Sequence, residues 1–430
     1  MQRFSTLDQW LTWLETLHPN AIDLGLERIK PIAKALQILP LPFPVLTVTG
    51  TNGKGSTVAF ISSILKAAGY KTACYTSPHL LKFTERLTLN HQPFEDSHWC
   101  DALSEVDAAR GDTSLTYFEF TTLAALLLLQ QTRPDIAILE VGLGGRLDAV
   151  NIVSAEIAII TTIAIDHTEW LGPTREDIAR EKAGILRPHK PVVCGDPLPP
   201  ASLIQQAKQL GCPFYGMNTE FSYYVNSSPT NQATSWIWRS PQQTLVNLPL
   251  PILPLQNAAT SLQVIELLQA HYTIDEEAIH QGLRSAYVPG RFEIIGQAPL
   301  RILDVAHNPA AGEWLQTTLQ QTPCSGQTLA VVGMLADKDI KNTLQSLISS
   351  IDHWYVGGLR CTRGASAEQI AEPLKRLNAK NANSIHLFDT ISMAYQQAMA
   401  SAAVNDRIIV FGSFYTIAEV MNLTAKEREV

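Results

Sequence analysis

The chain has 430 residues, of which 46% are hydrophobic and 17% charged, with a formal net charge of -8. Its length exceeds what a single hydrophobic core usually serves, so two domains are expected, and its acidic balance excludes broad electrostatic binding to nucleic acid while leaving room for a local basic pocket. The six cysteines contain no C-x-x-C pair, the start Met1–Asp8 has no apolar leader, and the longest apolar run, Leu123 to Leu129, is far too short for a bilayer. These features predict a cytoplasmic protein with reduced thiols and no membrane or nucleic-acid partner.

In chain order, Ser5-x-x-Asp8 reads as a capping box ahead of a helix carrying Leu7, Trp10, Leu11, Leu14 and Leu17 at helical spacing. Val45-Leu46-Thr47-Val48 then reads as a strand running into Thr49-Gly50-Thr51-Asn52-Gly53-Lys54-Gly55-Ser56-Thr57, followed by an apolar helical pattern through Val58, Ile61, Ile64, Leu65 and Ala68. Strand, glycine turn, lysine, hydroxyl and helix in that order build a phosphate cradle. Backbone N–H groups and the helix N-terminus face the anion, Lys54 supplies a point charge, and Ser56 or Thr57 is placed to hold Mg²⁺. The stricter G-x-x-x-x-G-K-[ST] pattern does not match: Val48 stands where its first Gly belongs, and Gly55 separates lysine from hydroxyl.

Further on, residues 71–75, 136–141 and 157–163 read as strands and Phe118 to Gln131 as a buried helix. Apolar strands separated by helices imply a mostly parallel sheet covered on both faces. Between Phe214 and Leu250 the texture changes to short aromatic and β-branched runs, such as Tyr223-Tyr224-Val225 and Trp236-Ile237-Trp238, which predict a small antiparallel insertion. Helices follow over 257–271 and 274–285. Near Pro289-Gly290 the pattern restarts, with strands expected at 302–304, 329–332, 354–356, 385–388 and 408–411. The expected fold class is thus α/β with two domains: residues 1–290, P-loop-type, and residues 291–430, Rossmann-like.

Ligands of open parallel sheets bind outside the carboxyl ends of the strands. That rule gathers the phosphate loop, Glu140 with Gly142-Leu143-Gly144-Gly145, Asp166-His167, and Thr76-Ser77-Pro78-His79 along one edge. A carboxylate and a hydroxyl beside bound phosphates suit Mg²⁺, which prefers oxygen ligands; His167 is a weaker candidate on chemistry alone. The glycines at 142, 144 and 145 have the wrong spacing for a dinucleotide fingerprint.

Together these residues resemble the folylpolyglutamate synthase and dihydrofolate synthase family, relatives of the Mur ligases. The matching segments include 23–28, 50–56, 77–80, 115–119, 140–148, 166–168, 181–184, 289–291, 304–309 and 412–414, and they run in family order over nearly the whole chain. The family's phosphate loop has this shorter form. The resemblance implies ATP-dependent ligation of L-glutamate to the carboxylate of dihydropteroate and to the γ-carboxylate of folates, through an acyl phosphate, with Mg²⁺ (two ions accompanying ATP) as cofactor.

Carried over position by position, it implies ATP binding by Thr51, Asn52, Gly53, Lys54, Gly55 and Ser56, with Asn257, Arg291 and Asp304. Ser77, Glu140, His167 and Lys182, the last as a carbamate, would ligate metal, and Lys54, Lys182 and His167 would be catalytic. Asp23, Leu24, Gly25, Leu26, Thr116, Tyr117, Phe118, Glu119, Leu147, Asp148 and Ala149 would line the pterin site, and His307 and Ser413 would contact glutamate. A monomer acting on small molecules is expected. On the residues alone, Asn257 also suits a helix cap, Asp304 an end-of-strand cap, and Ser413 the N-cap of the last helix.

A small-molecule kinase with this phosphate loop would need neither the second α/β domain nor its Asp304-x-x-His307-Asn308 cluster. A ligase for nucleotide-sugar peptides would need a larger domain ahead of the phosphate-loop strand.

Overall fold

The strand Val45–Thr49 (β1) lies in the interior of an eight-stranded sheet, wholly buried along its length. The computed structural model describes residues 3–227, 233–377 and 384–428. In chain order the other strands of that sheet are Thr72–Tyr75 (β2), Leu87–Leu89 (β3), Gln92–Pro93 (β4), Ile136–Glu140 (β5), Ile157–Ile160 (β6), Val192–Cys194 (β7) and Phe214–Gly216 (β8). Their spatial order is β4-β3-β2-β5-β1-β6-β7-β8, parallel from β2 to β8 and antiparallel only at the β3 and β4 edge. Pairing of Val48 with both Glu140 and Ile159 aligns the carboxyl ends of β1, β5 and β6. Three loops therefore emerge side by side.

A three-stranded antiparallel sheet follows, made of Ser222–Ser227 (β9), Ala233–Arg239 (β10) and Thr244–Leu248 (β11). Trp236 and Trp238 alternate onto its buried face, as period-two patterning requires. The predicted insertion is present, with residues 228–232 outside the described part. These elements belong to a compact unit, Met1–Tyr287, whose largest core cluster joins Trp10, Trp99, Phe120 and the leucines of helix Tyr117–Thr132.

The second unit, Val288–Val430, carries its own core around Leu315, Trp354 and Phe411. Its strands are Glu293–Gln297 (β12), Leu300–Asp304 (β13), Thr328–Val332 (β14), His353–Gly357 (β15), Ile385–Phe388 (β16) and Arg407–Phe411 (β17). They lie in the order β12-β13-β17-β14-β15-β16, with only β12 antiparallel.

Several local expectations shift; the strand expected at 136–141 ends at Glu140 and the helix expected at 274–285 starts at Glu276. The first helix is capped by Thr6, whose side chain accepts from the Gln9 N–H, while the Ser5 N–H and hydroxyl turn to the Gln9 side chain. The strand expected to reach Ile163 ends at Ile160: the Thr161 N–H makes a last bond to the Thr49 carbonyl at the end of β1, while the Thr161 and Thr162 hydroxyls turn to the Asn52 carbonyl of the phosphate loop. The strand at 71–75 starts one residue later, at Thr72. The helix expected at 257–271 spans Leu255–Leu268 and starts after Pro254, so Asn257 stands inside it and does not cap it.

Candidate active site

Between β1 and the helix Lys54–Ala67 the chain turns through Gly53 in the left-handed region, φ 88°. A Cβ there would lie 2.5 Å from the Asn257 carboxamide oxygen, so the glycine serves both the turn and the close approach of Asn257. The loop is stitched to the turn beyond β6. Thr51 donates its N–H to the Thr162 carbonyl at 2.7 Å, its hydroxyl to the Ala164 carbonyl at 3.0 Å, and accepts from the Ala164 N–H. The Asn52 carbonyl accepts from the Thr161 hydroxyl at 2.6 Å. Lys54 curls back so that its ammonium donates to the Gly50 carbonyl at 3.1 Å, keeping its charge over the cradle, and Ser56 is buried in the first turn of the helix.

Beside this loop, Glu140 ends β5 in a buried position and accepts from the Ser77 N–H at 3.4 Å. A Cβ on Gly55 would stand 4.0 Å from the Glu140 carboxylate, which fixes that carboxylate next to the cradle. The hydroxyl and carboxylate donors fit the oxygen preference of Mg²⁺. Among the described residues no group of three or more His, Cys, Asp and Glu gathers as a metal site, so a metal here would need the Ser77 hydroxyl and further oxygens beside the Glu140 carboxylate. His167, in the left-handed region at φ 52°, starts the short helix Thr168–Leu171. Its N–H bonds the Asp166 carboxylate at 2.9 Å, and its ring nitrogen stands 4.0 Å from the same group.

Lys182 is buried on the helix Arg175–Ala183, with no hydrogen-bond or ion-pair partner for its ammonium among the described residues. Burial and the neighbouring Lys54 charge push its pKa down to about 7, against the opposing pull of Asp166 and Asp148. Asp148, also buried, accepts from the Leu143 N–H at 2.9 Å and the Val150 N–H at 3.0 Å. Burial nevertheless raises its pKa to about 6. Lys54, Asp148, Asp166 and Lys182 are therefore near enough to bias one another.

Ser77 and Asp148 also border a cavity of about 260 Å³. Asp23, Leu24, Gly25, Thr116, Phe118, Glu119, Leu147 and Ala149 line it, as do Arg86 and Gly142. Gly142 is where the Phe118 ring packs: a Cβ would come within 2.8 Å of it. Leu26 and Tyr117 do not line this space. Leu26 belongs to the core beneath, and Tyr117 packs edge-on against Phe83.

Two arginines unread in the sequence organise this cavity. Arg28 donates to the Asp23 carboxylate at 2.8 Å, the Asp23 carbonyl at 2.6 Å and the Glu119 carboxylate at 3.2 Å. Glu119 meanwhile closes a capping box with Thr116. Arg28 thus ties the loop 21–25 to the N-terminus of the helix Tyr117–Thr132. Arg86 donates through Nε to His79 Nδ1 at 2.9 Å, and burial with that cation nearby lowers the His79 pKa to about 4. A third arginine, Arg175, pairs with buried Asp196 at 3.0 Å, and Asp196 in turn accepts from the Ile163 N–H at 2.7 Å, steadying the turn that leads to His167. No periodicity announces an arginine whose partners lie far away in sequence; the presence of Arg28 in the segment 23–28 was the one available signal.

In the second unit, Asp304 ends β13 beside the end of β17, since Asp304 pairs with Phe411. It is buried and accepts from the Phe292 and Ala306 N–H groups, each at 2.8 Å; burial raises its pKa against the pull of Arg291. The Arg291 guanidinium lies 6.0 Å from the Phe414 ring centre. His307 donates from Nδ1 to the Val305 carbonyl at 2.7 Å. The Ser413 hydroxyl accepts from the Thr416 N–H at 3.0 Å and so caps the last helix. Arg291, Asp304, His307 and Ser413 are thereby gathered at the carboxyl ends of two adjacent strands.

Comparison with known proteins gives these arrangements a context. Residues 48–259 match the Mur ligase middle domain, and residues 290–414 match the Mur ligase, glutamate ligase domain. The dihydrofolate synthase/folylpolyglutamate synthase of Escherichia coli (strain K12) is 46% identical over 428 residues, covering 99% of this chain and 97% of that protein. The enzyme of the same name from Haemophilus influenzae is 40% identical, over 96% and 97% of the two chains. Among solved structures, E. coli FolC in complex with DHPP and ADP superposes with a TM-score of 0.93 at 45% identity over 100% of both chains. A bifunctional folylpolyglutamate synthase/dihydrofolate synthase with Mn, AMPPNP and L-glutamate bound gives 0.90 at 45% identity, over 99% of each chain.

Proposed function

The chain belongs to the dihydrofolate synthase/folylpolyglutamate synthase family of Mur ligases, and from that premise we propose which of its residues carry each part of an ATP-dependent ligation. The reaction joins L-glutamate to the carboxylate of dihydropteroate, or to the γ-carboxylate of a folate. A carboxylate is a poor acylating agent, so the γ-phosphoryl group of ATP is first transferred to it, ADP leaves, and the glutamate amine displaces phosphate from the acyl phosphate. The protein's task is to orient three substrates and to neutralise the charge that develops on the moving phosphoryl group.

In this reading the loop 51–56 cradles the ATP phosphates, with Lys54 aimed at the transferred group; Asn257, Arg291 and Asp304 hold the rest of the nucleotide. A divalent metal, which we take to be Mg²⁺, would be held by Ser77, Glu140, His167 and Lys182 and would supply positive charge to the phosphoryl oxygens. Lys182 serves as a carbamate: its neutral amine adds carbon dioxide and releases a proton, turning a buried cation into an anionic oxygen donor. The amine's pKa of about 7 supports this, since near neutrality a large share of it is free to react. The cavity lined by Asp23, Leu24, Phe118 and Ala149 takes the pterin, and His307 and Ser413 receive glutamate. We place the enzyme, as a monomer, in the cytoplasm. All six cysteines are free thiols, and among the described residues no helix is long and apolar enough to cross a membrane.

One observation carries this assignment of parts. Ser77 borders the cavity and also bonds the carboxylate beside the phosphate loop. An acceptor seated there would direct its carboxylate at the cradle. The test is incubation of the purified protein with ATP, Mg²⁺ and L-glutamate, offering dihydropteroate or tetrahydrofolate separately and reading products by mass spectrometry. Glutamylated product is expected from both acceptors. ADP formed without any need for glutamate would instead indicate a kinase.

A further inference from the structure

Arg86 is a cation that lines the cavity with no ion-pair partner among the described residues. It is nine-tenths buried, and its only side-chain hydrogen bond among the described residues goes from Nε to His79 Nδ1 at 2.9 Å. Among the described residues neither of its Nη nitrogens has a hydrogen-bond or ion-pair partner, although three carboxylates line the same cavity. Those carboxylates are committed elsewhere: Asp23 to Arg28, Glu119 to Arg28 and Thr116, and Asp148 to the N–H groups of Leu143 and Val150. The ring faces of Phe83 and Tyr117, 5.7 and 5.6 Å from the guanidinium carbon, support its plane without satisfying its donors. A buried guanidinium with idle donors is unfavourable unless something else accepts from them.

We propose that the Nη fork of Arg86 reads the acceptor edge of the bound pterin, taking the C4 carbonyl oxygen and, in a 7,8-dihydropterin, ring nitrogen N5 as well, and so sets which pterins this enzyme glutamylates. The inference rests on the functional reading above. A guanidinium only donates, so the ligand edge it meets must only accept. In 7,8-dihydropterin the C4 oxygen and N5 are adjacent acceptors, whereas the opposite edge, with N1, the 2-amino group and N3–H, mixes donors with an acceptor. The ligand's carboxylate is not the partner, because that end must reach the phosphate loop past Ser77. Apolar neighbours such as Leu24, Phe118 and Ala149 suit the faces of a flat ring, leaving its edge to Arg86. His79 acts as a positioning residue: Nδ1 accepts from Nε and fixes the direction of the fork.

The test compares dihydropteroate with its 4-amino-4-deoxy counterpart, in which the acceptor oxygen becomes a donor amine. Wild type should favour the 4-oxo acceptor in kcat/KM by about a hundredfold or more, as sites built to pair a specific polar group do. Arg86→Gln should raise KM for dihydropteroate and shrink that preference to about tenfold or less, with KM for ATP unchanged. Arg86→Lys, which keeps the charge but not the fork, should fall between, and it covers the case in which Arg86→Gln fails to fold. His79→Phe should raise KM for dihydropteroate while leaving kcat near wild type. An unchanged 4-oxo preference in either Arg86 variant, or equal losses for both acceptors, overturns this assignment alone. A wild type that glutamylates no pterin at all overturns the functional reading with it.

Discussion

A lysine amine buried with no ion-pair partner among the described residues is the most consequential single group in the first unit. In the folded chain Lys182 loses its proton at about 7, against about 10.4 when unfolded. Between those values the unfolded state holds more protons, so stability rises with pH across that window and is lowest below it, where the native state must carry the charge. Denaturant unfolding of wild type and Lys182→Met in metal-free buffer purged of carbon dioxide should show the variant more stable near pH 6, the gap closing toward pH 10. A gap that does not vary with pH would mean the amine is not desolvated. Its neighbour Lys54 gives a kinetic counterpart. As the fixed cation of the cradle, its loss in Lys54→Ala should lower kcat by roughly a hundredfold, about 3 kcal/mol of barrier, at saturating ATP.

Elements are where legibility in the sequence divides. Runs that obey one periodicity were readable, such as the leucines of helix Tyr117–Thr132 or Trp236 and Trp238 on β10, because burial of a whole face overrides local detail. The stretch Ile157 to Ile163 looks uniform, yet it leaves the sheet after Ile160. Two threonine hydroxyls and the Asp196 carboxylate claim its backbone neighbourhood, and those contacts span tens of residues. The phosphate loop and Glu140 were legible for the opposite reason, since strand order alone brings their loops together. Arg28 and Arg86 were not, because their roles depend on partners supplied by other elements.

The tie made by Arg28 is testable at this scale. Arg28→Ala should free the loop 21–25, raising KM for the pterin acceptor about tenfold and lowering stability by about 1–2 kcal/mol, with the partial exposure of the pair holding the figure down. Unaltered KM values for every acceptor would show that the loop is held by other contacts. Asp196→Asn should lower kcat more than it changes any KM, since it loosens the turn before His167 without touching the cavity. An equal rise in all KM values would contradict that role.

For the whole molecule, the two units each have a sheet and a core of their own, and each holds part of the proposed machinery. Residues 1–287 expressed alone should fold, with circular dichroism of an α/β protein, but should show no glutamate-dependent phosphate release, because Asp304, His307 and Ser413 are missing. Ligase turnover by that fragment would remove the second unit from the reaction.

The interior position of β1 also dictates when during synthesis this protein can first hold its nucleotide. Residues 45–49 pair with residues 137–140 and 157–160, and Gly53 is packed closely by Asn257. The phosphate loop is thus translated early yet completed late, after contacts of high sequence separation that form slowly. A nucleotide analogue should therefore shield the full chain from a protease while leaving fragments that stop short of residue 257 as vulnerable as before. A growing chain would be left to the mercy of its own β-pairing until most of the first unit has emerged, so slow codons or chaperone contacts before residue 257 should matter far more to yield than any placed after it.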